Sequence, residues 1–160
     1  MSLHQYTTTT IWTGNRGTGT SEYKAYDRAH IIRIRDKADI EGSSDAAFRG
    51  DKTKHSPEDL FVSTLSTCHM LWYLHLCAVN GVIVTEYSDE ATGILRESPD
   101  GSGRFQQVTL NPVVTVSDIT MIDKANALHG EAHKMCFIAN SVNFPVLHQP
   151  TAIVATRHVA

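Results

Sequence analysis

The residues of this chain best suited to chemistry are its three cysteines, Cys68, Cys77 and Cys136. Cys68 stands in Leu65-Ser66-Thr67-Cys68-His69-Met70. A cysteine in an apolar helix is ordinarily a small packing group. Hydroxyl and imidazole neighbours, however, are unusual padding for a core. Cys136 falls where a second helical segment gives way to Cys136-Phe137-Ile138-Ala139-Asn140-Ser141. Cys77 lies about half a turn round the helix from Cys68, at about 100° per residue, and reads as packing. Three widely spaced cysteines do not make a secreted disulfide framework; in a reducing compartment, pairing among them is redox chemistry. A metal is the competing chemistry. His129, His133 and Cys136 stand at i, i+4 and i+7 on one helix face, and Cys68 or His69 would complete the four ligands of a structural zinc site. Gly130 and the lack of a short Cys-x-x-Cys pair count against it.

The elements that must position these groups are partly visible. Ser56 is an N-cap candidate with Asp59 three residues on and Pro57 at the first helical position, where its missing N–H costs nothing. Nothing breaks the helix before Asn80, and Gly81 supplies a left-handed stop, giving a helix over 57–80 about 36 Å long. Leu60, Phe61, Leu65, Met70, Leu71, Trp72, Leu74 and Leu76 are apolar on more than one face, which predicts a helix buried on most sides. Before it, Tyr6–Trp12, Tyr23–Ala25 and Ile31–Ile34 read as an antiparallel meander of strands within 1–55, and 36–55 as a long surface connection. After it, Val82–Leu95 and Phe105–Val116 flank the turn signal at 98–103 and predict one long hairpin over 82–116. Asp118 then caps a helix from Thr120 to Met135. A short helix over 137–142 and a closing strand from Ala152 to Ala155 complete a segment over 118–160. Strands, helix, hairpin, helix is the order of an α+β fold, with antiparallel sheets around a long central helix, in a single domain over 1–160.

Composition narrows the classes. The chain has 160 residues, 41% hydrophobic and 19% charged, with net charge −3. A core of that size needs no metal or disulfide to fold. The mild negative charge and the absence of a basic run give no footprint for nucleic acid. His69 and His75 interrupt the longest apolar stretch, and MSLHQYTTTT lacks a basic n-region followed by an apolar h-region. Neither a membrane span nor a secretory signal is expected, and the expected location is cytoplasmic.

His55-Ser56-Pro57-Glu58-Asp59-Leu60, Cys68 ten residues after Glu58, and the distant Cys136-Phe137-Ile138-Ala139-Asn140-Ser141 together resemble the OsmC/Ohr family of thiol-dependent peroxidases. Trp12-Thr13-Gly14-Asn15-Arg16-Gly17-Thr18-Gly19-Thr20 is similar to the family's opening strand and turn. The likeness therefore covers nearly the whole chain, and it lies in the order and spacing of the motifs.

The resemblance implies an intertwined homodimer that reduces organic or lipid hydroperoxides without a bound cofactor. Cys68 would be the peroxidatic thiolate, Cys136 would resolve its sulfenic acid as a disulfide, and a dithiol reductant would reset the pair. Glu58 would match the carboxylate that partners an activating arginine. Ten residues on one straight helix would separate Glu58 from Cys68 by about 15 Å along the axis, so either the helix breaks between them or the two meet across a subunit boundary, and the family's intertwined dimer implies the second. The arginine departs from the family pattern, because Ala47 stands where one branch has it. Arg49, two residues on in an extended segment, would point the same way; Arg16, in the glycine-rich turn, is the competing candidate, and Arg28 a third. His69 directly after the cysteine is a second departure. A rival of another class is a non-catalytic dimer whose cleft, lined by Phe61, Trp72, Tyr73 and Phe137, holds a small hydrophobic ligand.

Overall fold

The computed structural model describes residues 2–155. They divide into two compact units, one ending at Phe61 and the other beginning at Val62.

In the first unit, β1 (Thr9–Trp12), β2 (His30–Arg33) and β3 (Ile40–Gly42) form an antiparallel sheet in that order. The expected strand over Tyr23–Ala25 is instead a turn. The Arg28 guanidinium holds it closed by donating to the carbonyls of Tyr23 and Tyr26 at 2.9 and 2.7 Å. Gly14 is needed where the chain doubles back, since a Cβ there would sit 1.8 Å from the carbonyl oxygen of Asp27. The connection over 36–55 is more ordered than its polarity suggested. It contains β3 and a 3-10 turn at Ala46–Phe48, capped by the Asp45 carboxylate accepting from the Ala47 N–H at 2.7 Å.

The helix α1 (Pro57–Val79) runs across the boundary between the units. Its start is a reciprocal capping box. Ser56 Oγ accepts from the Asp59 N–H at 3.1 Å, and Asp59 Oδ2 accepts from the Ser56 N–H at 3.0 Å. Its end is a left-handed Gly81 with φ 73°, where the Val82 N–H reaches back to the Cys77 carbonyl at 2.9 Å. Burial is narrower than the apolar sequence suggested. Only the stripe Leu65, His69, Tyr73, Cys77 is buried, while Leu71 is 63% exposed.

In the second unit the long hairpin is present, but each arm breaks once. Its first arm is β4 (Val84–Asp89) and β5 (Thr92–Glu97); its second is β6 (Gly103–Leu110) and β7 (Pro112–Val116). β5 pairs with β6 and β4 with β7, both antiparallel, so one hairpin contributes to two sheets. Asp89 fixes the corner, accepting from the Asn111 N–H at 2.6 Å and from Ser66 Oγ of α1 at 2.5 Å. The sheets are not purely antiparallel. β8 (Val146–His148), which no sequence signal announced, joins β6 in parallel, and β9 (Thr151–Val154) joins β7 in parallel. A 3-10 turn at Ile119–Met121 precedes α2 (Ile122–Met135), and the expected short helix over 137–142 is a 3-10 turn at Ala139–Ser141. The core of this unit joins Tyr73 and Cys77 of α1 to Val114 and Val116 of β7 and to Ala125, Leu128 and Ala132 of α2. The closing strand thus ends at Val154, one residue short of its expected limit.

Candidate functional site

Cys68 lies midway along α1, half-buried, three residues beyond the buried Leu65 and beside the buried His69. Cys136 caps the C-terminal end of α2 and is buried. The structure brings the two side chains near enough that Cys68 helps to keep the Cys136 thiol protonated. Burial first, and the neighbouring Cys68 second, push the Cys136 thiol up to about 11. The backbone N–H of Ala139, 3.4 Å from Cys136 Sγ, opposes the rise. Both cysteines are reduced. A half-buried cysteine beside a buried one whose thiol is kept protonated is an arrangement in which the first can meet reactants while the second waits. Cys77 is buried, and burial pushes its thiol up.

Beside the pair lies an apolar ledge. Trp72, one turn beyond Cys68, meets Phe137, the neighbour of Cys136, edge to face at 5.6 Å between ring centroids. Leu71, Trp72 and His75 line a shallow cavity of about 260 Å³. Tyr73, expected with them in a cleft, is instead fully buried, stacked on His129 with ring centroids 3.8 Å apart.

The three arginines are engaged locally in the first unit. Arg16 donates to the Lys24 carbonyl at 2.9 Å and faces Asp27 at 3.4 Å. Arg28 lies over the rings of Tyr26 and Tyr23, 4.2 and 4.6 Å from their centroids. Arg49 does not sit in an extended segment: it closes the 3-10 turn with φ 64°, so the alternation argument for its direction does not apply. It shares a cavity of about 390 Å³ with Arg28, Asp27, Ser43 and Asp51. Glu58 stands in the first turn of α1, ten residues before Cys68 on the same unbroken helix. Its Oε2 is buried and meets no hydrogen-bond partner among the described residues.

The zinc arrangement is not formed. Among the described residues no group of three His, Cys, Asp or Glu side chains is placed to hold a metal ion. His129 turns instead to His69, Nδ1 to Nε2 at 2.9 Å. Burial is the first cause that lowers both rings, His69 to about 4 and His129 to about 3; the neighbouring His148 adds to both. His148, delivered by the unanticipated β8, lies 5.7 Å from His69 and 5.4 Å from His133 between ring centroids.

The sequence pattern described as OsmC-like protein matches residues 50–149. No functionally curated protein matches the chain. Among solved structures, an OsmC-like protein of unknown function from Vibrio cholerae is 28% identical and superposes with a TM-score of 0.84, over 93% of this chain and 100% of that one. An organic hydroperoxide resistance protein OsmC from Legionella pneumophila has a TM-score of 0.68 at 16% identity, over 95% of this chain and 98% of that one. An organic hydroperoxide resistance protein from Elizabethkingia anophelis has the same score and identity, over 96% and 99%. With these last two the likeness is one of fold. Among the described residues no helix is long and apolar enough to cross a membrane.

Proposed function

The chain belongs to the OsmC-like protein family, and on that premise we propose that it is a thiol-dependent peroxidase that reduces organic hydroperoxides to alcohols. The observation that carries this reading is that the structure sets the buried Cys136, from the far end of α2, beside the half-buried Cys68 of α1. The Cys68 thiolate attacks the distal peroxide oxygen; the O–O bond breaks, leaving a sulfenic acid on Cys68 and an alkoxide that takes a proton and departs as the alcohol. Cys136 then attacks the sulfenic sulfur. An S–S bond forms, the S–O bond breaks, and the hydroxyl leaves with the thiol proton as water. A dithiol reductant reopens the disulfide by exchange.

A guanidinium beside Cys68 would hold it ionised and stabilise charge on the departing oxygen. Arg49 and Arg16 are the candidates, with Arg28 the third, and Glu58 is their carboxylate partner. Ten residues of helix between Glu58 and Cys68 favour a site completed by a second copy in a homodimer, and the exposed apolar groups of α1 are consistent with one. The ledge of Leu71, Trp72 and Phe137 suits the organic part of a bulky hydroperoxide. A cytoplasmic, reducing location belongs to this reading.

The test is mass spectrometry of the reduced protein before and after one equivalent of cumene hydroperoxide. A Cys68–Cys136 disulfide and one released alcohol are expected, lost in Cys68→Ser; Cys136→Ser should take one oxygen and stop at the sulfenic acid. No selective oxidation of Cys68 would leave a hydrophobic-ligand dimer as the better reading.

A further inference from the structure

The bond between His69 Nε2 and His129 Nδ1 joins the two helices that carry the cysteines. His69 directly follows Cys68 on α1, and His129 lies two turns before Cys136 on α2. Both rings are buried, 1% and 0% exposed, and nearly coplanar at 7°. The opposite nitrogens, His69 Nδ1 and His129 Nε2, meet no partner among the described residues. One proton lies between the rings. Whichever ring donates it, the other carries its own N–H on the outer nitrogen, so one outer N–H and one outer lone pair stay unpaired. Two unpaired buried groups are costly, at roughly 1–3 kcal/mol each, and an apolar pair of similar shape would avoid that cost. What the imidazoles supply in return is direction. An apolar contact lets one helix roll on another, whereas a hydrogen bond with coplanar rings does not. At a side-chain radius of about 5 Å, a roll of about 20° moves a helix-borne sulfur by nearly 2 Å, enough to separate two thiols that must close to a bond of about 2 Å.

We propose that His69 and His129 are positioning residues, whose hydrogen bond sets the rotation of α1 on α2 that presents Cys68 to Cys136. They act on disulfide closure and leave the attack on peroxide untouched. The inference rests on the peroxidase reading, which assigns Cys136 to resolution.

His69→Met and His69→Gln provide the test, being of similar length but only the second able to bond His129 Nδ1. In single-turnover mixing with cumene hydroperoxide, loss of peroxide is followed beside formation of the Cys68–Cys136 disulfide, with the free sulfenic acid trapped by dimedone. For His69→Met, peroxide loss at the parent rate, disulfide formation slowed at least tenfold and dimedone-trapped Cys68 are expected, and His69→Gln should recover most of the disulfide rate. Equal disulfide rates in the Met and Gln variants, or equal slowing of both steps, would overturn the proposal. His129→Leu against His129→Asn reads the same contrast from the other helix if the Met variant does not fold. The parent protein separates the two levels: if it forms no disulfide, the peroxidase reading fails; if it does and the variants match it, only the positioning role fails.

Discussion

Cys136, buried at the end of α2, neighbours Cys68, which is half-buried on α1. The two cysteines are therefore unequal before any reaction. Cys136 is held up to about 11 by burial and by the neighbouring Cys68, so near neutral pH only a very small fraction of it is thiolate, the form that reacts. Cys77, buried beside Tyr73, is raised for the same first reason. Iodoacetamide at neutral pH should accordingly label Cys68 at least about tenfold faster than either of the others, as read by peptide mass spectrometry over time. Labelling of Cys136 as fast as Cys68 would contradict the asymmetry.

Both ends of α1 were legible in the sequence because local chemistry determines them. Ser56 and Asp59 exchange the anticipated pair of bonds, and Gly81 takes the left-handed φ of 73° with open space around its Cβ direction. Ser56→Ala should cost about 1 kcal/mol through the lost cap. Gly81→Ala should cost about 1 kcal/mol through backbone strain alone. Urea unfolding measures both, and a neutral result at either position would mean that the helix end is held by something other than its cap.

What the sequence did not disclose depends on contacts distant along the chain. A three-residue strand such as β8 is too short to show periodicity; its partner β6 defines it, and only that parallel pairing carries His148 towards His69. The burial of His69 was equally hidden, because a histidine next to a cysteine looks like part of the same site. Successive helical residues differ by about 100°, so the two face different surroundings: His69 is fully buried and Cys68 only half so. Cys68 and Cys136 were singled out from their neighbours and from family likeness; their contact arises from how α2 packs, which no spacing encodes. The aromatic Tyr23 favours a strand in the local sequence, whereas the carbonyl bonds from Arg28 that bend the segment into a turn come from a residue outside it.

Trp72 stands one turn from Cys68 and braces Phe137, next to Cys136, so its ring should meet the organic group of a hydroperoxide and not the peroxide itself. Losing roughly 50 Å² of apolar contact at about 25 cal/mol per Å² is about 1.3 kcal/mol, close to tenfold. Trp72→Ala should thus lower kcat/KM for cumene hydroperoxide about tenfold while leaving the value for hydrogen peroxide nearly unchanged. A parallel loss for both substrates would show that Trp72 supports the fold of the site and does not contact the substrate.

The histidine cluster gives stability a pH dependence whose sign follows from its burial. His69 is lowered from 6.5 to about 4, by burial first and then by His148 and His133; His129 is lowered to about 3, by burial and then by His69 and His148. Between about 6.5 and about 4 the unfolded chain binds protons at these positions and the folded one does not, so unfolding takes up protons and stability rises with pH. The contribution is complete above pH 6.5 and drains away as pH falls through that window, on the order of 3 kcal/mol for His69. Urea midpoints measured from about pH 7 to about pH 5, above the range where most carboxylates titrate, should fall steeply in the parent protein. In His69→Met, where one neutral buried imidazole is gone, the fall should be visibly shallower. Equal slopes in the two proteins would mean that His69 accepts its proton in the folded state as readily as in water, and that its pairing with His129 does not keep it neutral.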